Sequence, residues 1–331
     1  MTLNPGLLFL GGLILLVLGA ELLLRSATRL ARRLGISPIV IGLTVVSVGT
    51  STPEFAIALT AAAEGRGPLA VGNIAGTNIV NILLILGLSA AIRPLPTRSL
   101  SVRLDVPVMI ATAVALFVMA LDGVLTRAEG LGLLLAAVVY TVALVQLSRQ
   151  EDATTQLAFR DVLAAQAPPV ENLPNGPRAW AWNGALLAAG MALAVLGAEL
   201  LVAGAVELAK AYGVSDAFIG LTIVAIGTST PELVTMLVAT VRHDRDVAIG
   251  NLIGSSIYNV LVILGLTMVA GPAGGVDVGT EVLWIDLPLA ALVAIVCLPV
   301  FRSDRMVSRR EGIGFVLAYL AYLGSLLLWR H

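Results

Sequence analysis

Residues 49–54 read GTSTPE, and residues 227–232 repeat the same six letters. Both copies lie inside apolar runs that are long enough to cross a lipid bilayer as helices. Each copy ends on a glutamate, Glu54 or Glu232. A carboxylate placed inside a membrane span is costly and marks a functional site by default. We therefore expect the fold and the function to be organised around these two segments.

The repetition extends to both sides of the hexapeptide, always with an offset of 178 residues. Short glycine-containing segments recur with few changes, and they divide the chain into two related halves. The matching pairs are residues 19–23 and 197–201, 42–44 and 220–222, and 72–81 and 250–259.

The composition is that of a polytopic membrane protein. Of the 331 residues, 58% are hydrophobic and 12% are charged, whereas soluble domains carry about 25% charged residues. The net charge of −1 says little about partners, and we expect the lipid bilayer and no nucleic acid. The one cysteine, Cys297, lies in an apolar run and is expected to be a buried small hydrophobic residue.

Ten apolar runs predict ten transmembrane helices, so the expected fold is an all-α polytopic membrane protein. Five runs fall in each half. Because five is odd, the second half must cross the membrane in the opposite direction to the first. The two halves are then inverted-topology repeats, an arrangement that is typical of secondary transporters. The predicted spans are residues 5–24, 38–63, 68–92, 104–121, 128–148, 183–207, 216–241, 246–270, 282–301 and 311–329.

The basic residues predict the orientation. With the N-terminus outside, 16 of the 20 Lys and Arg residues fall in cytoplasmic segments, as the positive-inside rule requires. We expect a multi-pass protein of the plasma (inner) membrane, with both termini outside and the central loop cytoplasmic. The repeats are expected at residues 1–148 and 179–331, joined by a polar, proline-rich linker at residues 149–178. Residues 1–5 contain no Lys or Arg, so the first run is read as a retained span.

The hexapeptide places oxygen atoms on one side of a helix. Thr50 and Ser51 lie four and three residues before Glu54 and share a face with it. Pro53 lacks an N–H and crowds the carbonyl of Gly49, which should open the helix and free backbone oxygens. Such irregular backbone is tolerated inside a membrane only where it is buried in protein or lines a cavity. The second copy repeats this arrangement with Thr228, Ser229 and Glu232.

The following span of each half supplies further oxygen donors. Thr77 lies four residues before Asn81, and Ser255 lies four residues before Asn259. Together with the hexapeptides they would form a site of carboxylate, amide, hydroxyl and carbonyl oxygens. Ca²⁺ takes such ligands, whereas softer metals prefer nitrogen or sulfur. We expect transported cations at this site and no resident cofactor.

Purely structural roles could also explain some of these polar residues. A single polar segment could be helix-packing glue, but two copies at a fixed offset argue against that. Glu21 lies four residues before Arg25 and is expected to pair with it at the membrane surface. Asp105 and Asp286 lie two residues before a proline at the start of a span and are expected to cap helices.

Two other classes of function fit these residues less well than a carrier does. An intramembrane hydrolase would use Ser51 or Ser229, but no His or Lys lies near either serine in sequence. A channel is disfavoured because paired buried carboxylates bind cations tightly and slow conduction. We therefore expect a transporter and not an enzyme.

These motifs resemble the cation/Ca²⁺ antiporter superfamily, specifically its prokaryotic sodium/calcium exchanger branch. The two alpha repeats of that family match residues 42–89 and 220–267, and its ten-span architecture covers essentially the whole chain. The resemblance implies exchange of Ca²⁺ for Na⁺, with Glu54 and Glu232 as central Ca²⁺ ligands and backbone oxygens near Thr50 and Thr228 assisting. It implies Na⁺ ligands on either side of the centre and amides lining the middle. The Na⁺ ligands would be Ser51, Thr77, Ser229 and Ser255 with the two glutamates, and the amides Asn81 and Asn259.

The chain departs from some members of that family at Asn259, where they have aspartate. The expected site therefore holds two carboxylates and not three, which weakens the case for three Na⁺ per Ca²⁺ and keeps Ca²⁺/H⁺ exchange open as an alternative. Two ionised carboxylates in a poorly solvated site repel each other, and one Ca²⁺, two Na⁺ or two protons would neutralise them. The resemblance also implies alternating access, with the first and sixth spans sliding against the other eight.

Overall fold

The computed structural model describes residues 4–34, 38–97, 100–166, 177–212, 225–242, 245–303 and 306–329. In chain order the helices are α1 (Pro5–Leu34), α2 (38–50), α3 (Thr52–Ala63), α4 (Gly67–Ile92), α5 (Ser101–Asp122), α6 (Arg127–Gln166), α7 (Pro177–Ala211), α8 (Ala225–Thr228), α9 (Thr230–Arg242), α10 (245–270), α11 (Val282–Arg302) and α12 (Arg309–Trp329). Four two-residue strands lie between helices: β1 (Leu95–Pro96), β2 (Val124–Leu125), β3 (Val276–Asp277) and β4 (Met306–Val307).

Seven helices in these ranges are long and apolar enough to span a membrane, and the bent pair α2–α3 raises the number to eight. The predicted span at 216–241 lies partly outside the described residues, and the apolar helix within it, Thr230–Val241, is shorter. The predicted span at 311–329 corresponds to α12, which is not among these candidates. The chain is thus a mostly helical multi-pass membrane protein, and the number ten stays a prediction.

Helix α6 runs further than the sequence suggested. It continues to Gln166 and so enters the segment predicted as linker. The proline-rich remainder at 167–176 lies outside the described residues, as does the second GLT segment at 220–222.

Helices α4 and α10 form the centre of the bundle. In their apolar stretches 78% and 83% of the residues are buried, against 33% for α1 and 28% for both α6 and α7. Each central helix contains a π-helical turn, Val80–Leu86 in α4 and Asn259–Leu264 in α10. Such turns concentrate at functional sites, and these two contain the predicted site residues Asn81 and Asn259.

Helices α1 and α7 pack against each other along much of their length through glycines. A Cβ added at Gly12 would overlap the backbone of Leu201, and one added at Gly190 would overlap the backbone of Leu23. Gly12 and Gly190 are 178 residues apart, and so are Leu23 and Leu201, so the contact occurs twice with its partners exchanged. Because Gly12 meets Leu201 while Gly19 meets Ala194, the two helices run antiparallel.

The short strands are an exception to the all-helical expectation. β1 pairs with β4 and β2 pairs with β3, both antiparallel. Each pair joins a loop of the first half to a loop of the second half. Pairing satisfies backbone N–H and C=O groups where the chain leaves one helix and enters the next.

Two helices begin with a capping box. At the start of α6 the backbone N–H of Thr126 donates to Glu129 at 2.7 Å, and the N–H of Glu129 donates to the Thr126 hydroxyl at 3.3 Å. At the start of α12 the N–H of Ser308 donates to Glu311 at 2.8 Å, and the N–H of Glu311 donates to the Ser308 hydroxyl at 3.3 Å.

The predicted helix caps at Asp105 and Asp286 are wrong. Both residues have helical backbone angles and make no capping hydrogen bond, because the helix continues through them from a preceding π-helical turn. Their carboxylates instead accept hydrogen bonds from the hydroxyls of Tyr140, at 2.9 Å, and Tyr322, at 3.1 Å. These bonds join α5 to α6 and α11 to α12.

Two smaller predictions are confirmed. Glu21 and Arg25 form an ion pair one helical turn apart in α1. Cys297 is a free thiol and is fully buried in α11.

Candidate cation-binding site

Both hexapeptides break a helix at their serine. α2 ends at Thr50 and α3 begins at Thr52, and the helix direction changes there by 54°. In the second half α8 ends at Thr228 and α9 begins at Thr230, with Ser229 between them.

The threonine that follows each serine bonds to backbone at the break. The Thr52 hydroxyl donates to the carbonyl of Gly49 at 2.7 Å, and the Thr230 hydroxyl donates to the carbonyl of Ile226 at 3.1 Å. The prediction that Pro53 frees backbone oxygen is therefore wrong for Gly49, whose carbonyl is taken by the neighbouring hydroxyl.

The breaks bring the two halves together at the carboxylates. Glu54 lies in the first turn of α3 and Glu232 in the first turn of α9, and both are 0% exposed. The Ser51 hydroxyl of the first half donates to Oε1 of Glu232 in the second half at 3.3 Å. The carboxylate of Glu54 interacts electrostatically with that of Glu232. The two hexapeptides thus share one buried site.

The central helices bring their polar residues to the same region. The π-helical turn that begins at Asn259 packs on α3, which carries Glu54, and the turn that contains Asn81 packs on α9, which carries Glu232. Each amide is therefore on a segment that contacts the glutamate-bearing helix of the other half. Thr77, Asn81, Ser255 and Asn259 are all buried.

Nine of the ten predicted site residues are buried. Thr228 is half-buried at the end of α8. The buried ones are Thr50, Ser51, Glu54, Thr77, Asn81, Ser229, Glu232, Ser255 and Asn259.

Many polar atoms of this site lack a hydrogen-bond partner among the described residues. Buried polar atoms in proteins are nearly always hydrogen-bonded, so an unpaired group of this kind needs another partner. Because most of the atoms are oxygens and two of the groups are carboxylates, a cation is the partner that would satisfy them. The atoms without a hydrogen bond of acceptable length and angle are Oε1 and Oε2 of Glu54, Oε2 of Glu232, Oδ1 and Nδ2 of Asn81, Oδ1 of Asn259, and the hydroxyls of Ser229 and Ser255. The Ser229 hydroxyl nevertheless interacts with the Glu54 carboxylate.

The donor set is mostly neutral. Within the described ranges there is no group of three or more His, Cys, Asp or Glu residues that could hold a metal ion. A cation at this site would therefore meet two carboxylates and otherwise uncharged oxygens, the chemistry that Ca²⁺ and Na⁺ accept.

Asn73 and Asn251, which sequence analysis did not assign to the site, bond directly to its residues. The Thr50 hydroxyl donates to Oδ1 of Asn251 at 3.2 Å, and Nδ2 of Asn73 donates to the carbonyl of Glu54 at 3.3 Å. The Ser47 hydroxyl lies 3.0 Å from the carbonyl of Asn251. The signal was present in the sequence, because Asn73 and Asn251 are a repeated pair at the offset of 178.

A third missed residue is Asn78. Its Nδ2 donates to the carbonyl of Ser256 at 3.0 Å, and its Oδ1 accepts from Nδ2 of Asn259 at 3.2 Å. The repeat could not reveal it, because position 256 in the second half holds serine.

A multi-pass membrane protein with two broken helices around a buried, oxygen-lined pair of carboxylates belongs to the class of ion transporters. The family model described as sodium/calcium exchanger protein matches residues 5–146 and 182–328. The chain belongs to this family of antiporters.

Individual relatives cover nearly the whole chain. The inner membrane protein YrbG of Escherichia coli (strain K12) is 35% identical over 324 residues, which are 97% of this chain and 96% of the relative. The sodium/calcium exchanger MaX1 of Methanosarcina acetivorans is 30% identical over an alignment of 344 positions, gaps included, which covers 96% of this chain and 97% of the relative. A solved structure of the sodium-calcium exchanger NCX_Mj matches with a TM-score of 0.80 at 28% identity, covering 98% of this chain and 100% of the other.

Proposed function

We propose that the protein is a secondary active antiporter that exchanges Ca²⁺ for Na⁺ across the membrane. The observation that carries this proposal is the pair of fully buried carboxylates, Glu54 and Glu232, that the two halves bring together among unpaired oxygens. The names of MaX1 and NCX_Mj, both sodium/calcium exchangers, support the same choice of ions.

We assign the site residues to Ca²⁺ or Na⁺ by their charge and their position. Glu54 and Glu232 are the central Ca²⁺ ligands, because they supply the only negative charge that we assign to the site. Backbone oxygens near Thr50 and Thr228 assist them, and Asn81 and Asn259 line the middle. Na⁺ binds on either side of the centre through the glutamates and the hydroxyls of Ser51, Thr77, Ser229 and Ser255. The transported ions are substrates, and no resident cofactor is required.

Electrostatics makes the protein an exchanger. Two ionised carboxylates in a site that excludes water repel each other, so the empty site is unfavourable when closed on both sides. One Ca²⁺ neutralises the pair, and so do two Na⁺. If only a neutralised site can pass through the closed state, then every Ca²⁺ moved in one direction is matched by compensating charge moved in the other.

The architecture proposed for this cycle has ten spans in two inverted repeats, residues 1–148 and 179–331, joined by a cytoplasmic linker at 149–178. The antiparallel α1–α7 contact, which occurs twice with partners exchanged, supports such a relation between the halves. In this scheme α1 and α7 slide together against the other spans. Met191 of α7 packs against Gly49 at the helix break and lines a groove of about 500 Å³ there, so sliding would change access to the site.

The proposed location is the inner membrane, with both termini outside and the linker inside. The basic-residue distribution supports this orientation, and YrbG is named an inner membrane protein. Because the native Cys297 is buried, single introduced cysteines can be labelled in intact cells. A thiol reagent that does not cross membranes should label E64C directly and V170C only after permeabilisation. The reverse pattern would contradict the orientation.

A flux assay tests the exchange itself. Purified protein in liposomes loaded with Na⁺ should take up ⁴⁵Ca²⁺ when diluted into Na⁺-free buffer, and external Na⁺ should abolish the uptake. E54Q and E232Q remove half of the site charge each and should lower uptake by about 100-fold or more. E199Q is the matched control, since Glu199 is an exposed glutamate of α7, and it should transport like the wild type. Wild-type uptake by both E54Q and E232Q would contradict the assignment.

Ca²⁺/H⁺ exchange is the second candidate, favoured by Asn259. With only two carboxylates in the site, two protons neutralise it as well as two Na⁺ do. The same liposomes with an outward H⁺ gradient and no Na⁺ distinguish the two. Uptake driven by the H⁺ gradient alone, with no response to Na⁺, would replace Na⁺ by H⁺ as the coupling ion.

A further inference from the structure

We propose that Asn78 is a positioning residue that fixes the side-chain amide of Asn259 with its oxygen directed to the cation. The inference rests on the proposed function of the site. It concerns one of the two amides that we assign to the site, and it explains how a neutral side chain can serve there.

The orientation follows from a chain of two hydrogen bonds that begins at a backbone carbonyl. The carbonyl of Ser256 can only accept, so it must receive the Nδ2 group of Asn78, 3.0 Å away. That leaves the Oδ1 of Asn78 facing Asn259. An oxygen there can only accept, so Asn259 must present its Nδ2 group, 3.2 Å away.

The consequence for Asn259 is that its oxygen points elsewhere. Asn259 is 0% exposed, and its Oδ1 has no hydrogen-bond partner among the described residues. The π-helical turn that starts at Asn259 packs on α3, the helix of Glu54. The amide therefore offers the site an acceptor and keeps its N–H groups away from the cation.

The equivalent amide of the first half is not held in this way. The residue that corresponds to Asn78 is Ser256, and its hydroxyl donates to the carbonyl of Leu252 in its own helix at 3.2 Å. Neither amide atom of Asn81 has a hydrogen-bond partner in the part of the chain that the structure describes. The two halves thus build a site with one fixed and one unfixed amide.

Without Asn78 the amide of Asn259 would turn. Its N–H groups are donors, and unpaired carboxylate oxygens of Glu54 and Glu232 lie in the same site. The turned amide would donate to them in the cation-free state, and a cation would have to displace it. The apparent Ca²⁺ affinity falls in proportion to the fraction of molecules whose site is ready to bind. We therefore expect the Ca²⁺ affinity to fall about 10-fold.

A double-mutant cycle tests this directly. N78S introduces the residue of the second half and should raise the half-saturating Ca²⁺ concentration about 10-fold, with the maximal rate little changed. N259D presents an oxygen in either orientation and needs no fixing. In that background the aspartate oxygen faces the Oδ1 of Asn78, which cannot donate to it, so N78S should not raise the half-saturating concentration by more than about 2-fold. An equal loss in both backgrounds would overturn the proposal.

A further variant guards against simple local disruption. S256A removes a hydroxyl that bonds to the carbonyl of Leu252 in its own helix, and it should leave the Ca²⁺ affinity unchanged. If S256A weakens Ca²⁺ binding as much as N78S does, the loss comes from local packing and the positioning role is excluded.

Ca²⁺ binding and Ca²⁺ transport are measured separately, the first as the Ca²⁺-induced rise in melting temperature of the purified protein. A wild type that binds Ca²⁺ but exchanges it for neither Na⁺ nor H⁺ would contradict the proposed function, and the cycle measured by binding would still decide the role of Asn78. A wild type that shows neither binding nor flux would contradict both.

Discussion

At the scale of single residues, Thr52 explains how the helix break is stabilised. Pro53 has no N–H to give to the carbonyl of Gly49, one turn earlier. The Thr52 hydroxyl donates to that carbonyl instead, at 2.7 Å. The break is therefore held by a side-chain hydrogen bond at Gly49, next to the backbone that carries Thr50.

Replacing Thr52 with valine should destabilise this break. T52V keeps the shape of the side chain and removes the donor, leaving the Gly49 carbonyl unpaired inside the membrane. We expect a loss of about 1–3 kcal/mol in the free energy of unfolding, measured as a lower melting temperature in detergent. T60V is the control, since Thr60 is an exposed residue of α3. Equal melting temperatures for T52V and T60V would show that the bond is unimportant.

The two glutamates occupy the same place in their helices. Each lies in the first turn after a break, at the N-terminal end of α3 or α9. The partial positive charge of a helix N-terminus stabilises a carboxylate there. This placement offsets part of the cost of keeping two negative charges buried in the interval before a cation arrives.

At the scale of helices, the α1–α7 contact depends on residues without side chains. The Cβ positions of Gly12 and Gly190 fall on the backbone of the facing helix, so no larger residue fits without separating the helices. Glycines of this kind allow close approach in membranes, where packing takes the place of the hydrophobic effect.

Gly11 and Gly12 provide a matched pair for testing this contact. A Cβ at Gly12 would overlap the backbone of Leu201, whereas a Cβ at Gly11 meets no other atom within 4 Å. G12A should lower the free energy of unfolding by about 1–3 kcal/mol and slow exchange, and G11A should do neither. Thermal unfolding in detergent and ⁴⁵Ca²⁺ flux measure the two effects. If G11A and G12A behave alike, the contact is not close in the membrane.

The helix breaks and the buried polar residues could be predicted from the sequence because their motifs occur once in each half. The break at the hexapeptide follows from Pro53 and Pro231, and the buried polar residues of α4 and α10 follow from their identical offset. Asn78 could not be found in this way, since its counterpart is Ser256. The cap prediction for Asp105 and Asp286 is wrong because an aspartate shortly before a proline is typical of a cap, whereas the tyrosine that bonds to each aspartate lies about 35 residues away.

Other elements left too weak a pattern to be predicted. Strands of two residues have no alternation of polar and apolar positions, and their partners lie in the opposite half of the chain. The extension of α6 to Gln166 runs through polar sequence that lacks the hydropathy of a span.

At the scale of the whole molecule, the two halves are joined by many contacts besides the peptide linker. β1 pairs with β4 and β2 with β3, Ser51 bonds to Glu232, and Asn78 bonds to Asn259. Each of these contacts connects the first half to the second. Contacts within the helix bundle, and not the linker, therefore hold the two halves together.

Cutting the linker should accordingly preserve function. We expect two fragments, residues 1–168 and 169–331, to copurify when they are expressed together from separate reading frames. They should catalyse Na⁺-dependent ⁴⁵Ca²⁺ uptake at a rate within about 10-fold of the intact chain. The reason is that the linker raises the effective concentration of one half near the other and adds no contacts. Either fragment alone should give no uptake. Fragments that both insert into the membrane without copurifying would show that the linker is essential for assembly.

The exchanged contacts between α1 and α7 make this interface resemble that of a symmetric homodimer, in which one patch meets a copy of itself. Every substitution in a true homodimer is imposed on both sides at once. Here the two copies lie at different positions of one gene, so a change at Gly12 leaves the crossing at Gly190 intact. A substitution at Gly12 therefore weakens one of the two crossings and leaves the other unchanged, whereas the same substitution in a homodimer would weaken both.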